Sequence, residues 1–410
     1  MSFIMEFISN KETKIKIIFI TSFFTAGFIV EFFYRDPLFD NSVAIAESVQ
    51  DVFDPSITFF KYWAYLGVIE FFVAIIIFLF FPISYCFTFF ANMIISVHLC
   101  NFAKLVYSQG RPFLIDKMVK KACESGYGNP SGHSFQFTSN LLAFVQMFID
   151  LFELNKLRTI IIYVVCGILI LSINFSRIVL GVHSINQVIL GDTFGFTTYF
   201  IICKIIQPHK IEINKFYGLF LNKKFHFCHA IAIFINAISL MIAAIFNDKL
   251  ELDNYDDLKK KLIEYCQSIE NSMLSRDAKM KFLYITAYYG MIYGMTILSN
   301  FVKNNYHGNY NELNYYYRNC NKKWYVKYGS RLLFTLICYL PLILTFAKRN
   351  MNIYLAYIFL SALPMFVFGL SLFSVNYLVS ILLKIANEDL YRNFIDDKNE
   401  YRLDSTLSEN

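Results

Sequence analysis

Charged residues are scarce in this chain: aspartate, glutamate, lysine and arginine make up only 17% of its 410 residues. Soluble globular domains carry about 25% of these residues, so the composition excludes an ordinary soluble domain. The lysines and arginines lie mostly in short loops between apolar runs, which argues against a nucleic-acid partner despite the net charge of +6. With 56% hydrophobic and 19% aromatic residues, the chain is predicted to be a polytopic membrane protein.

Paired cysteine spacings are also missing. The nine cysteines are scattered, most of them inside apolar runs, so neither a zinc site nor a disulfide framework is predicted. No small-residue cleavage site follows the first apolar run, and we therefore expect a retained membrane helix rather than a signal peptide. No metal ion or other cofactor is predicted.

What the chain has instead is a series of apolar runs of about 20 residues, the length that a helix needs to cross a bilayer. We predict an all-α, polytopic membrane helix bundle of about ten transmembrane helices. The last run is either one long helix or a pair broken near Pro364 and Gly369, and a short interfacial helix is expected at 40–56. The predicted spans are 15–33, 62–81, 83–107, 133–152, 159–175, 187–206, 227–246, 282–302, 332–346 and 353–385.

Basic residues gather in alternate loops, and this indicates the orientation. If ten helices alternate, the lysine-rich N-terminus and the loops after the fourth, sixth and eighth helices share one side, which should be cytosolic. The end of the third helix and the start of the fourth then lie on the non-cytosolic face, lumenal or extracellular.

Three fragments at these non-cytosolic helix ends combine cationic and small residues: KLVYSQGRP at 104–112, PSGH at 130–133 and SRIVLGVHSINQ at 176–187. Phosphoryl transfer requires cationic and N–H donors around the phosphate oxygens, an in-line nucleophile and an acid. Lys104 and Arg111 are two helical turns apart, so both are predicted to point to one side where the third helix leaves the membrane. Each could then reach the same phosphate.

Further phosphate contacts are predicted from the other two fragments. Arg177 offers a planar fork that suits bidentate phosphate binding. Ser131 and Gly132 form a turn at a helix start, where backbone N–H groups bind anions and the glycine leaves room for a close approach.

Two histidines complete the predicted site. His183 lies four residues before Gln187, so the Gln187 oxygen is predicted to accept a hydrogen bond from one ring nitrogen. The other ring nitrogen is then free to attack phosphorus. His133, at the head of the fourth membrane helix, is left as the general acid.

The fragments together resemble the type 2 phosphatidic acid phosphatase superfamily, whose pattern is lysine, six residues and Arg-Pro, then Pro-Ser-Gly-His, then Ser-Arg, five residues and histidine. The resemblance covers about a third of the chain, 62–206. It implies a six-helix catalytic core and a metal-independent phosphatase with a phosphohistidine intermediate on His183. The parts of the chain are then an N-terminal membrane helix and interfacial segment (1–61), the catalytic core (62–206), C-terminal transmembrane helices (207–388) and a polar tail (389–410).

One position departs from the usual family pattern. Most members have aspartate where this chain has Gln187, and glutamine can orient the histidine ring but adds no charge, so His183 should be less basic unless another group compensates. The glucose-6-phosphatase branch is similar in having glutamine there, and CESGYGNPSGH at 123–133 resembles the same branch. Asp192 would lie on a different helix face and is a poor substitute.

The resemblance implies a phosphorylated substrate and contact with membrane lipids. The substrate is a phosphomonoester, either a lipid phosphate or a sugar phosphate such as glucose 6-phosphate, or alternatively a polyprenyl diphosphate of the dolichyl type. The expected location is the endoplasmic reticulum or another endomembrane. The expected role is in lipid metabolism. Two other classes are weaker: a non-catalytic scaffold would be expected to lose one of the motif residues, and a transporter would show more buried intramembrane charges.

Overall fold

A computed structural model describes residues 11–53, 57–68, 70–115, 124, 126–236, 284–305 and 363–374, together with isolated positions between 238 and 264, between 329 and 338, and Leu378. Within these ranges the secondary structure is entirely helical, which confirms the all-α class. Five of the described helices are long and apolar enough to cross a membrane. The polytopic membrane bundle is thereby confirmed, whereas the count of about ten stays a prediction, since the last two predicted spans lie mostly outside the described residues.

The first helix, α1, is Lys11–Phe53, with Pro37 inside it. Its 43 residues correspond to about 65 Å, roughly twice the thickness of a bilayer core. The sequence predicted a membrane span followed by a separate interfacial helix, but the structure has one continuous helix. Its second half is not a free interfacial segment, because it carries polar side chains that bond to a loop of the bundle, as described below.

The second predicted span, 62–81, is interrupted. It consists of α2 (Ile57–Ala64), a 3₁₀ turn at Tyr65–Val68 and α3 (Glu70–Phe80). Gly67 and Glu70 lie at the interruption, where a glycine and an ionisable side chain both disfavour an uninterrupted apolar helix.

The next four predicted spans agree closely with the structure. Antiparallel helices alternate between the two ends of the bundle, so the end of one long helix and the beginning of the next share a side. The helices are α4 (Ile83–Tyr107), the short α5 (Pro112–Ile115), α6 (Gly132–Phe152), α7 (Lys156–Val179) and α8 (Ile185–Tyr199), which continues as a π-helical segment, Phe200–Ile206.

Small residues allow the helices to pack closely. A Cβ atom at Gly191 of α8 would lie 2.7 Å from the Ser131 carbonyl oxygen, and one at Gly195 would lie 2.5 Å from the Phe135 carbonyl oxygen, so only glycine fits where α8 crosses α6. Helix α1 packs on α8 in a similar way, with Gly27 against the Thr193 side chain. These crossings bring the beginnings of α6 and α8 and the middle of α1 together.

The surfaces of α1 and α7 are those expected of helices in lipid. Most of their apolar side chains face outward, for example Phe32 and Phe33 on α1 and Ile168 and Leu171 on α7. A soluble protein rarely exposes contiguous apolar surface of this kind, whereas a bilayer solvates it without cost.

The chain divides into two compact units, Met1–Glu70 with Ala91–Gln207 and Ile231–Ile285, and Phe71–Phe90 with Pro208–Ala230 and Thr286–Asn410. The predicted site residues all belong to the first unit. In the second, α9 is Ile213–Leu219, α10 is Ile285–Asn305 and α11 is Leu363–Phe373. A Cβ at Gly294 would lie 2.7 Å from the Leu370 carbonyl oxygen, so α10 and α11 also cross at a glycine.

Candidate active site

Helix α4 ends one turn after Lys104. Ser108 adopts a left-handed conformation (φ 45°), and its backbone N–H bonds to the Lys104 carbonyl oxygen at 3.1 Å. Arg111 therefore lies beyond the helix, outside the predicted span 83–107, and the two helical turns suggested by its spacing from Lys104 are not formed. The two side chains nevertheless reach adjacent carbonyl groups, because Lys104 Nζ donates to Tyr127 O at 2.5 Å and Arg111 Nε donates to Gly126 O at 3.0 Å.

Arg111 is almost completely buried, with 4% of its surface exposed. Its Nη1 donates to Val182 O at 3.1 Å and lies 3.2 Å from Nε2 of His183. The same Nη1 lies 3.0 Å from a carboxylate oxygen of Glu124. A buried guanidinium with this many fixed partners is held in one position, so its charge is oriented before any ligand binds.

Arg177, in the last turn of α7, approaches the same carboxylate from another direction. Its Nη2 is paired with Oε1 of Glu124, while Oε2 of Glu124 is paired with Arg111. One planar anionic group thus bridges the two guanidinium groups. Among the described residues, the Arg177 Nε atom is buried and has no hydrogen-bond partner.

The electrostatics of Glu124 follow from this arrangement. Burial alone would raise the pKa of its carboxyl group, but Arg177 and then Arg111 outweigh burial and hold the pKa well below its usual value of 4.5. Glu124 is therefore an anion at neutral pH. No role was predicted for Glu124, although it lies within the CESGYGNPSGH stretch.

The PSGH fragment begins α6. Ser131 is the N-cap residue, and its Oγ accepts from the Ser134 backbone N–H at 3.4 Å, while its own N–H donates to Gln187 O at 2.9 Å. That N–H is consequently occupied rather than open to an anion. A Cβ at Gly132 would lie at ordinary contact distance, 3.7 Å from Cys100 Sγ and 3.9 Å from Lys104 Cε, so the packing itself does not require this glycine. His133 is half-buried and interacts electrostatically with Arg177, Glu124 and Arg111.

His183 lies just before α8 rather than within it. Ser184 is the N-cap residue, so Gln187 occupies the third position of the helix and its side chain folds back toward the cap. The Gln187 Oε1 atom lies 3.2 Å from His183 Nδ1 and accepts the Ser184 backbone N–H at 3.3 Å. The predicted contact is present, and the helix cap makes it.

These partners define the tautomer of His183. Because Nδ1 faces an acceptor oxygen and Nε2 faces the Arg111 N–H, the proton is assigned to Nδ1 and the lone pair to Nε2. Burial lowers the pKa of His183 well below 6.5, and Arg111, Arg177 and Lys104 lower it further. A neutral imidazole with a free Nε2 lone pair is the form that can attack phosphorus.

On the Nδ1 side of His183, Gln187 is joined by two further side-chain amides that were not predicted, Gln109 and Asn186. Gln187 Nε2 donates to Gly110 O at 2.9 Å and to Gln109 Oε1 at 3.2 Å. Asn186 Nδ2 donates to the same Gln109 oxygen at 3.3 Å and to Oε2 of Glu31 at 3.2 Å. The one local signal for this network is the Ser184-x-x-Gln187 spacing, which is typical of a capping box.

Asp192 takes no part in the site. Its two carboxylate oxygens accept from Thr138 Oγ1 at 2.7 Å and Asn174 Nδ2 at 2.5 Å, so it joins α8 to α6 and α7. The expectation that it could not substitute for an aspartate at the Gln187 position agrees with these contacts.

Residues 81–211 match the model of the PAP2 superfamily. We call this part of the chain, which is similar to that superfamily, the PAP2 segment. The PAP2 segment contains every predicted site residue and begins after α3, later than the predicted boundary at residue 62. The resemblance inferred from the three fragments is confirmed, and the match supports a membrane protein of the phosphatase type.

The chain is also similar to the dolichyldiphosphatase of Saccharomyces cerevisiae, with 34% identity over 115 residues, which cover 26% of this chain and 47% of the yeast protein. The chain thus spans about half the length of the curated relative that it matches. No solved structure matches the chain significantly. Helix α1 lies outside the PAP2 segment.

Proposed function

We propose that this protein is an integral-membrane phosphatase that hydrolyses a phosphomonoester through a phosphohistidine intermediate. This proposal rests on the surroundings of His183 Nε2. The neutral imidazole lies beside the buried guanidinium groups of Arg111 and Arg177, which the Glu124 carboxylate bridges. A phosphate group presents oxygens of the same charge and hydrogen-bonding character, so Arg111 and Arg177 can bind it in the same way. Lys104 adds a third cation.

In the first step, the His183 Nε2 lone pair attacks phosphorus. The N–P bond forms as the bond between phosphorus and the substrate oxygen breaks, and the leaving oxygen takes a proton from His133. The Nδ1–H of His183 donates to Gln187 Oε1 throughout, which keeps the ring oriented as it becomes positively charged. Arg111, Arg177 and Lys104 stabilise the charge that develops on the phosphoryl oxygens.

In the second step, water attacks the phosphohistidine. His133 accepts a proton from this water, the N–P bond breaks and its electron pair returns to Nε2, so that the neutral imidazole and inorganic phosphate are formed. Each role is assigned to a residue of this chain, and no step requires a cofactor.

The substrate is a lipid phosphate or a sugar phosphate such as glucose 6-phosphate. Gln187 and the CESGYGNPSGH stretch favour a sugar phosphate, since the glucose-6-phosphatase branch resembles this chain at both places. The similarity to a yeast dolichyldiphosphatase favours a second candidate, a polyprenyl diphosphate. A non-catalytic scaffold is disfavoured because Lys104, Arg111, His133, Arg177 and His183 are all retained.

The test is hydrolysis by the detergent-purified protein, with the chelator EDTA present and orthovanadate as inhibitor. A panel of glucose 6-phosphate, phosphatidic acid, sphingoid-base phosphates and polyprenyl diphosphates would identify the substrate class. We expect vanadate-sensitive release of phosphate that falls at least about 10³-fold in both His183→Ala and His133→Ala. Retained hydrolysis in His183→Ala would overturn the phosphohistidine mechanism.

We also infer that the site faces the non-cytosolic side, in the endoplasmic reticulum or another endomembrane. The support is the distribution of basic residues over alternate loops. An N-glycosylation acceptor sequence introduced between residues 116 and 123, close to the site along the chain, should be modified in cells. An unmodified acceptor, beside a glycosylated control protein, would reverse the orientation.

A further inference from the structure

Helix α1 bonds to both ends of the loop that carries His183, although α1 lies outside the PAP2 segment. Gln50 Nε2 donates to Val179 O at 2.7 Å, where α7 ends. Ser42 Oγ accepts the Ile185 backbone N–H at 2.8 Å, where α8 begins. The loop between these two points, only five residues long, is therefore held by a helix that the family match does not include.

A third residue of α1, Glu31, lies about one helical turn after Gly27 and is buried, with 4% of its surface exposed. A buried carboxylate in an apolar helix is costly unless its oxygens are hydrogen-bonded. Both oxygens of Glu31 have partners: Oε1 accepts from Asn129 Nδ2 at 2.5 Å, and Oε2 accepts from Asn186 Nδ2 at 3.2 Å. Asn129 precedes the PSGH fragment, and Asn186 precedes Gln187.

Because an ionised carboxylate can only accept hydrogen bonds, Glu31 sets the direction of the amides that follow it. The Asn186 amide nitrogen faces Glu31 and also donates to Gln109 Oε1 at 3.3 Å. That oxygen faces the Gln187 nitrogen at 3.2 Å, which leaves the Gln187 oxygen toward His183 Nδ1. The series runs from Glu31 through three amides to the imidazole.

We propose that Glu31 is a positioning residue for His183, acting through Asn186, Gln109 and Gln187. It holds the amide series in one orientation and supplies, from α1, the negative charge that the Gln187 position lacks. The imidazole becomes a cation while the N–P bond exists, and a Gln187 oxygen held in place at Nδ1 stabilises that cation. The role of Glu31 rests on the proposed phosphohistidine mechanism.

The test compares Glu31→Gln with Asp36→Asn by steady-state hydrolysis of the substrate that the panel selects. Glu31→Gln removes the charge with almost no change of shape. Asp36→Asn removes the same charge from an exposed position five residues further along α1. Loss of an outer hydrogen-bond partner typically costs 10–100-fold in activity. Because Gly110 O and Ser184 N–H also hold Gln187, we expect a loss at the lower end of this range, about a tenfold fall in kcat for Glu31→Gln. KM should stay within about twofold, and Asp36→Asn should match the wild type.

A double-mutant cycle with Asn186→Ala separates positioning from a general structural effect. If Glu31 acts through Asn186, the double variant should lose little more kcat than either single variant, whereas independent effects would multiply. Should Glu31→Gln fail to fold, as judged by its elution and thermal unfolding in detergent, Asn186→Ala alone should show the same kcat-selective loss.

Two results would overturn the role of Glu31: an unchanged kcat in a folded Glu31→Gln protein, or losses of kcat that multiply in the double variant. If Glu31→Gln does not fold, an unchanged kcat in Asn186→Ala would overturn it. With hydrolysis abolished in His183→Ala, these results leave the phosphatase proposal standing. A wild-type protein that hydrolyses no substrate of the panel would overturn both.

Discussion

The two sides of the His183 ring differ in kind. On the Nε2 side lie charged groups, Arg111 with Arg177 behind it and Glu124 between them. On the Nδ1 side lie neutral amides, and the carboxylate at the end of their series, Glu31, belongs to a different helix. Under the proposed mechanism, the charged side binds the phosphate and the amide side holds the ring. Changes on the charged side should therefore weaken phosphate binding, and changes on the amide side should lower kcat alone.

The largest effect is expected on the charged side, from Arg177→Lys. A lysine keeps the charge but cannot reproduce the planar fork, and the loss of a charge-assisted hydrogen bond of about 2–3 kcal/mol should lower kcat/KM about 100-fold. Inhibition by inorganic phosphate should weaken as well. The control is Arg158→Lys, an exposed arginine at the beginning of the same helix. Undiminished phosphate inhibition in Arg177→Lys would remove Arg177 from the binding site.

A tenfold effect is expected on the amide side, from Gly128→Ala. The added Cβ would lie 2.6 Å from both Nε2 and Oε1 of Gln187, so the amide must move away from His183. We expect kcat to fall about tenfold at constant KM, as for other outer partners of a catalytic group. Gly167→Ala is the matched control, since nothing lies within 4 Å of its added Cβ. A rise in KM as large as the fall in kcat would break the distinction between the two sides.

The smallest effect is on stability, from Glu124→Gln. Because the folded pKa of Glu124 lies well below 4.5, its ion pairs stabilise the fold fully above about pH 4.5, and this contribution is lost as the pH falls toward the folded pKa. Thermal unfolding at neutral pH should show Glu124→Gln less stable by about 1–2 kcal/mol, with the difference shrinking below pH 4.5.

The control for this measurement is Glu212→Gln, which breaks an exposed pair with Lys215. Exposed pairs contribute little, so its stability should match that of the wild type at every pH. A Glu124→Gln difference that persists unchanged to pH 3 would contradict the ion-pair assignment.

Much of the bundle could be predicted from the sequence. The predicted span 83–107 coincides with α4. The predicted beginnings and ends of α6, α7 and α8, the last taken with its π-helical continuation, lie within four residues of the observed ones. Apolar length alone indicates such helices, because a bilayer demands about 20 residues. The same criterion failed at 40–56, where polar residues suggested an interfacial helix. Residues 40–53 instead continue α1, and two of them, Ser42 and Gln50, bond to the ends of the His183 loop.

The site was predictable to the extent that its residues are local in sequence. Lys104, Arg111, Arg177, His183 and Gln187 were named from three short fragments, and the structure brings them to one end of the bundle. The bridging position of Glu124 was not predictable, because nothing in a single carboxylate indicates which arginines it meets. The conformation of the chain between Lys104 and Arg111 was not predictable, because a spacing of seven also fits two helical turns.

The sequence by itself determined that this is a helical membrane protein and which residue types could bind phosphate, because hydropathy and motif spacing are local properties. Only the tertiary structure decided which nitrogen of His183 carries the proton, since the two ring partners, Arg111 and Gln187, come from different segments of the chain. It alone brought Glu31 to Asn186, 155 residues away. That contact depends on α1, α6 and α8 packing closely at Gly27, Gly191 and Gly195, and close packing is a property of the assembled bundle.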